Sequence, residues 1–400
     1  MDRPLAGLRV VDLTRALAGP FATMALADLG ADVIKVEPTP KGDMIRQWGP
    51  FDDDTSVYYL SANRNKRCVG INFRSDEGME IIRQMILQAD IVVENFKVGT
   101  MESMGLDYAS LSSQNPGLIM ASISGFGDSG PAANWPGFDQ IAQGYSGLMS
   151  VTGTPDSGAT RVGIPVGDMT AGLWMTVGVL SAVVQRNQTG RGQHVKTSLL
   201  GSLLSLMSVQ GQRYLSLGEV PVPMGNAHPV IFPYGSFMTA DGLMNIAPAT
   251  TAMWEKVCEV LGLGHLVTDE RFLTNSDRVR NRDALQREFD QALSSQGRAH
   301  WTQLLLANGI PAGPINTIAD AMDDVQVQAM HMVETIAYPK LGDVRHVGLP
   351  VNMASVPNGH SVFAPAPEFG QHSAEVLREF GWDEQQIEQM IANDVIFQWT

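Results

Sequence analysis

The feature that most constrains this chain is the alternation, through its first 125 residues, of short β-branched apolar runs with helix-patterned segments. LRVVDLT (8–14) is followed by GPFATMALADLGA, which places Pro20 near the start of a helix and Gly30 at its end. DVIKVE (32–37) and CVGINF (68–73) have the pattern of further strands. In SDEGMEIIRQMILQAD, Ser75 can cap a helix on which Met79, Ile82, Ile86 and Ala89 share one face. IVVEN (91–95) and LIMASIS (118–124) continue the series. Strands separated by helices require right-handed crossovers, so the expected class is α/β with a mostly parallel sheet.

The pattern changes after Val195. A long helical stretch from Ser198 to Leu217 precedes VPVPMGNAHPVIFP, whose prolines and glycine suit a linker. A smaller α+β unit follows, with strands at SFMTAD and LMNIAP and helices over Met253–Leu261, Arg282–Leu293 and His300–Ala307. The tail returns to short strands and closes with SAEVLREFG and EQQIEQMIAND as helices. The expected division is a large domain from 1–200, a linker over 201–231, a small α+β domain over 232–315, and a return linker with the rest of the large domain over 316–400.

Charge and composition exclude several functions. A net charge of −15 disfavours nucleic-acid and anionic-membrane partners. Two distant cysteines, Cys68 and Cys258, cannot form a disulfide framework, which fits a reducing cytoplasm. The first twenty residues hold charges and no long apolar run, so no signal peptide is expected there. Met169 to Val184 is apolar but short and rich in Gly and Ala, and reads as a buried helix. There is no P-loop, and GYSGL (144–148) misses the spacing of a nucleophile elbow. The eight histidines lack ligand spacing, so no metal is expected. GFGDSG (125–130) carries the G-x-G-x-x-G spacing, but Pro131 and Pro136 prevent the long helix a dinucleotide needs, and the turn is read as a turn.

One acidic residue stands out. In RVGIPVGDMTAGLWMTVGVLSAVVQ, Asp168 follows Gly167 and precedes a long apolar helix. It can serve as an N-cap. It can also act as a nucleophile, its carboxylate kept ionised by the helix dipole.

The sequence resembles the family III CoA-transferases. LRVVDLTRALAGPFATMALADLGADVIKVE, GDMIRQWGP, NRNKRCVGINFRSDEG, ADIVVENFKVGTMESMG, NPGLIMASISGFGDSGP, VGDMTAG and TGRGQHV occur in the family's order. The resemblance implies an interlocked homodimer whose subunits are rings of a Rossmann-like large domain, a small domain and two linkers. It implies that Asp168 forms an aspartyl anhydride and then an aspartyl-CoA thioester, with acyl-CoA as substrate and no prosthetic group. By matching motifs the expected CoA contacts are Arg15, Ala16, Leu17 and Ala18, then Ile71, Asn72, Phe73 and Arg74, then Asn95, Phe96 and Lys97. Phe73 and Phe96 can equally be core residues, and NRNKR (63–67) is either a phosphate-binding cluster or a solvated loop. Arg46 can pair with an acceptor carboxylate or form a surface ion pair.

Pro38 and Ser103 stand where formyl-CoA transferases carry arginines, and MGNAHP (224–229) replaces their glycine-rich flap, leaving His228 as a candidate acceptor contact. The racemase branch of the same fold needs a histidine where this chain has Phe138, and a phenyl ring cannot move a proton. Transfer of CoA to a small mono- or dicarboxylic acid is therefore the expected activity. A CoA-binding protein without catalysis, in which Asp168 only caps its helix, is the alternative from another class.

Overall fold

The computed structural model describes residues 3–399. The chain divides into two compact units, one formed by residues 1–149, 161–220 and 325–400, the other by 150–160 and 221–324.

The larger unit is built on a seven-stranded sheet. In spatial order its strands are Ile396–Phe397, Lys66–Ile71, Asp32–Pro38, Arg9–Asp12, Ile91–Glu94, Ile119–Ser124 and His194–Ser198. The first six strands in sequence pair in parallel, and Ile396–Phe397 closes one edge antiparallel to Lys66–Ile71. Numbered along the chain, the six parallel strands run 3-2-1-4-5-6, the doubly wound order in which the crevice between the first and fourth strands becomes the ligand site.

Alternation along the strands divides the core in two. Val11, Ile34, Val36 and Val92 pack with the Asp76–Leu87 helix and the C-terminal helices Ser373–Glu379 and Glu384–Ala392. Val10, Val33, Ile91, Val93 and Ile123 pack on the other side with the helices Ala18–Asp28 and Val166–Thr189. As expected, Ser75 caps its helix, accepting the Gly78 N–H at 3.1 Å.

Two expectations are corrected. The Ser198–Leu217 stretch is two helices, Leu199–Leu206 and Ser208–Leu217, with Ser208 at φ 31 marking the break. The helix read over Met169–Val184 runs from Val166 to Thr189 and is long and apolar enough to cross a membrane by length and composition. It serves here as a half-buried packing helix. Ala171, Met175, Val179 and Ala182 face the sheet, while Leu173, Trp174 and Val177 are exposed.

The smaller unit carries a three-stranded antiparallel sheet, Ala312–Pro314, Gly242–Ile246 and Gly235–Thr239, with helices over Thr251–Val260, Arg282–Leu293 and Arg298–Ala307. Its core is aromatic, built on Phe237, Trp254, Phe272 and Phe289.

Candidate active site

The strand order directs attention to the C-terminal ends of Arg9–Asp12 and Ile91–Glu94. There the two strands' following residues lock together. The Arg15 N–H donates to Asn95 Oδ1 at 2.8 Å, and Asn95 Nδ2 donates back to the Arg15 carbonyl at 2.7 Å. The turn after the first strand is tight, with Ala16 at φ 59, a conformation an alanine holds only under constraint. The constraint is Asp43, whose Oδ1 accepts the Ala16 N–H at 3.1 Å while its Oδ2 takes the buried Lys35 ammonium at 2.9 Å.

A cavity of about 360 Å³ opens on this turn. Arg15, Ala16, Leu17, Ala18 and Asn95 form one wall, and Asp168 with Asp139 another. Met44, Trp48, Tyr58 and Phe138, all partly exposed, form the lip. The segment 137–140 reaches the cavity because Gly125 and Gly137 touch backbone to backbone: a Cβ on Gly125 would stand 2.7 Å from the Gly137 Cα. The first glycine of GFGDSG thus serves close packing beside the cavity.

A second cavity, of about 400 Å³, shares Arg15 with the first and is lined by Phe73, Arg74, Phe96, Lys41 and Pro38. The Arg15 guanidinium lies 5.1 Å from the Phe96 ring centroid, in cation–π range. A third cavity, of about 680 Å³, is lined by Lys97 and by the Ser122–His194 pair, whose Oγ and Nε2 are 2.8 Å apart. Burial pushes the neighbouring Glu94 carboxyl up to about 7.

Asp168 does not cap its helix. Pro165 holds the cap position, and Asp168 is the third helical residue, with its side chain in the first cavity. Nor is its carboxylate kept ionised by the helix terminus. Burial and then the nearby Asp139 carboxylate push its pKa from 3.8 up to about 7.

The other sequence candidates divide. Ile71 is fully buried, its side chain in the sheet core and its carbonyl accepting the Thr39 N–H. Asn72 is held by the chain's end, its N–H donating to the Val395 carbonyl at 2.8 Å. Arg46 lines neither of the cavities that Arg15 joins. Its guanidinium forks onto Glu37 at 2.7 and 2.8 Å and donates to the Pro367 carbonyl, so an acceptor carboxylate would have to displace an internal partner. NRNKR is neither a solvated loop nor a phosphate cluster. Arg64 pairs with Asp28 at 2.6 Å, Lys66 with Asp12 at 3.1 Å, and Arg67 with Asp32 and Glu379 at 2.7 Å each. Ser103 ends a short helix, its hydroxyl donating to the Thr100 carbonyl. In the smaller unit, His228 Nδ1 accepts the Val230 and Ile231 N–H groups, a turn-stabilising arrangement.

Sequence reasoning passed over Asp139, Arg161, Trp48 and Tyr58, all of which line the cavity with Asp168. Arg161 was legible as a cation seven residues before Asp168, and Asp139 as the acid beside Phe138.

Comparison with known proteins agrees with this architecture. A succinate–glutarate CoA-transferase of Agrobacterium fabrum is 38% identical, the alignment covering 94% of this chain and 95% of the relative. An acetyl-CoA:oxalate CoA-transferase of Acetobacter aceti is 37% identical, covering 94% of this chain and 96% of the relative. The crystal structure of a CAIB/BAIF family protein from Brucella suis superposes with a TM-score of 0.85 at 38% identity, covering 95% of this chain and all of that one. With the family's sequence model matched over residues 5–373, the chain belongs to CoA-transferase family III and is a CoA-transferring enzyme.

Proposed function

We propose that this enzyme moves CoA from a donor acyl-CoA to a small dicarboxylic acid through covalent states of Asp168. The observation that carries the reading is a carboxylate placed in a cavity with an arginine that also lines a second, cationic cavity. Acyl-CoA would lie across both. Arg15, Arg74 and Lys41 supply cations for the phosphates, Phe73 and Phe96 supply apolar surface for the nucleotide, and the thioester reaches Asp168.

The chemistry then needs only the side chain and the sulfur. An Asp168 oxygen attacks the thioester carbonyl carbon, the C–S bond breaks, and CoA leaves as thiolate from an acyl–aspartyl anhydride. The thiolate attacks the aspartyl carbonyl carbon, and the donor acid departs with the oxygen that Asp168 supplied. The acceptor carboxylate attacks the aspartyl-CoA thioester, and the released thiolate takes the acceptor acyl group from the second anhydride. The starting carboxylate is restored with one oxygen from the acceptor. Backbone N–H groups at the start of the Ala18–Asp28 helix are available to the transient oxyanions.

The dicarboxylate preference rests on Arg161. It shares the cavity with Asp168 and Asp139 and makes no ion pair among the described residues. The acceptor's distal carboxylate would be repelled by two acids unless a guanidinium received it. The named relatives, acting on succinate and glutarate or on oxalate, are in keeping with such an acceptor. The homodimer implied by the family resemblance is retained as part of the reading.

Oxygen tracing tests the mechanism. With glutarate carrying ¹⁸O in its carboxylates and succinyl-CoA as donor, label is expected in Asp168 after one turnover and in released succinate after several. Unlabelled succinate over many turnovers, with glutaryl-CoA accumulating, would rule the mechanism out.

A further inference from the structure

Asp139 is a buried acid with no cationic partner among the described residues, only 8% exposed, in the same cavity as Asp168. Its hydrogen bonds all bear on the segment leading into Asp168. Oδ1 accepts the Gly167 N–H at 2.7 Å, and Oδ2 accepts from Gln143 Nε2 at 2.7 Å. Gln143, fully buried, accepts in turn from the Val162 N–H at 2.9 Å. A Cβ at position 167 would stand 2.9 Å from the same Asp139 oxygen, so the glycine of the Gly-Asp pair is what admits the contact.

Hydrogen bonding alone does not require a charge there. An amide or a hydroxyl would accept the Gly167 N–H, and a buried carboxylate without a counter-ion is costly. We propose that Asp139 is a positioning residue whose negative charge drives Asp168 into its covalent forms. This rests on the transfer reading above.

When the Asp168 oxygen bonds to the thioester carbon, the electron pair of the broken C–S bond leaves on sulfur. When the thiolate then bonds to the aspartyl carbon, the pair of the broken C–O bond leaves on the donor acid. In both covalent states Asp168 is uncharged, and the negative charge has moved to a departing group. Asp139 therefore repels only the free carboxylate, raising that state relative to anhydride and thioester. The upward pKa of Asp168 reports the same repulsion, after the effect of burial. The other ionisable groups lining the cavity are Arg15 on the turn after the first strand, Tyr58 on the lip and Arg161 before the helix; Leu199 from the facing helix contributes none.

The test compares the full-length enzyme with Asp139→Asn and Asp139→Ser, which keep an acceptor for Gly167 without the charge. Two readouts are taken: the pH profile of kcat/KM, and the succinate released per active site from succinyl-CoA without acceptor. Both variants are expected to lower the midpoint of the alkaline-rising limb by about one pH unit or more. Both are expected to lower the equilibrium constant for succinate release, obtained from the succinate freed per active site, by at least about tenfold, since the covalent form is no longer favoured. Asp139→Glu is expected to keep the wild-type midpoint. If either neutral variant folds with an unmoved midpoint and undiminished succinate release, Asp139 acts only as a structural acceptor and the inference is overturned. A wild-type enzyme that forms product without modifying Asp168 would overturn the transfer mechanism itself, a result separable from the first because it needs no variant.

Discussion

Two sets of charges in the larger unit are treated in opposite ways. Around the first three strands, Lys35, Lys66, Arg46 and Arg64 each meet a carboxylate, and all four carboxylates, Asp43, Asp12, Glu37 and Asp28, are 0–1% exposed. Asp12 loses its hydration, but Lys66 and Lys35, with hydrogen bonds from Thr14 and Thr23, more than offset this and hold it down to about 2. In the cavity Asp139 and Asp168 lie near each other, and among the described residues none of Asp139, Asp168, Arg15 and Arg161 makes an ion pair. Paired charges fix a backbone: Lys35 and Asp43 together hold the Thr14 carbonyl and the Ala16 N–H. In the proposed reading the unpaired charges are the ones that meet substrate, on a frame in which Lys35, Lys66, Arg46 and Arg64 are paired.

Breaking the paired side should cost stability. Lys66→Met leaves Asp12 buried without its nearest cation and is expected to destabilise the fold by about 3–5 kcal/mol, read by urea unfolding at pH 7. A change below about 1 kcal/mol would mean that this network is dispensable.

Neutralising the unpaired side should do the reverse. Asp168→Asn is expected to stabilise the protein by roughly 2–4 kcal/mol at pH 8 while abolishing transfer. The sign follows from the raised pKa. The folded carboxyl holds its proton up to about 7, whereas the unfolded one releases it near 3.8. Stability therefore falls as pH rises between those values in the wild type, and the variant escapes that loss. At pH 4 the two proteins should unfold alike; equal stability at pH 8 would remove the electrostatic argument.

A smaller effect separates the two cavity arginines. Arg161→Gln is expected to lower kcat/KM for glutarate by about tenfold or more, while changing the rate with butyrate less than about threefold. Equal losses on both acids would assign Arg161 to the CoA side or to the fold.

The contrast also explains what the sequence could and could not reveal. Strand and helix periodicity made the doubly wound sheet legible, because its burial pattern repeats every two or 3.6 residues. Asp168 was singled out by its place at the start of a long apolar helix, although it lies inside that helix and does not cap it. NRNKR misled because basic residues in an acidic chain suggest an anion site, while the acids that neutralise them, Asp12, Asp28, Asp32 and Glu379, are 35 or more positions away in sequence. Arg46 misled for the same reason, since Glu37 is its partner only once the loop after the second strand folds back. Asp139 stood in view beside Phe138 but was passed over, because its bond to the Gly167 N–H, 28 positions away, is made only in the fold.

The proposed reaction requires Asp168 to carry first an acyl group and then the CoA sulfur. The most direct measurement mixes the enzyme with succinyl-CoA and hydroxylamine and sequences the modified peptides by mass spectrometry. A hydroxamate at Asp168, formed only with acyl-CoA present and absent from Asp168→Asn, is the predicted result. Product formation with that carboxylate never modified would contradict it.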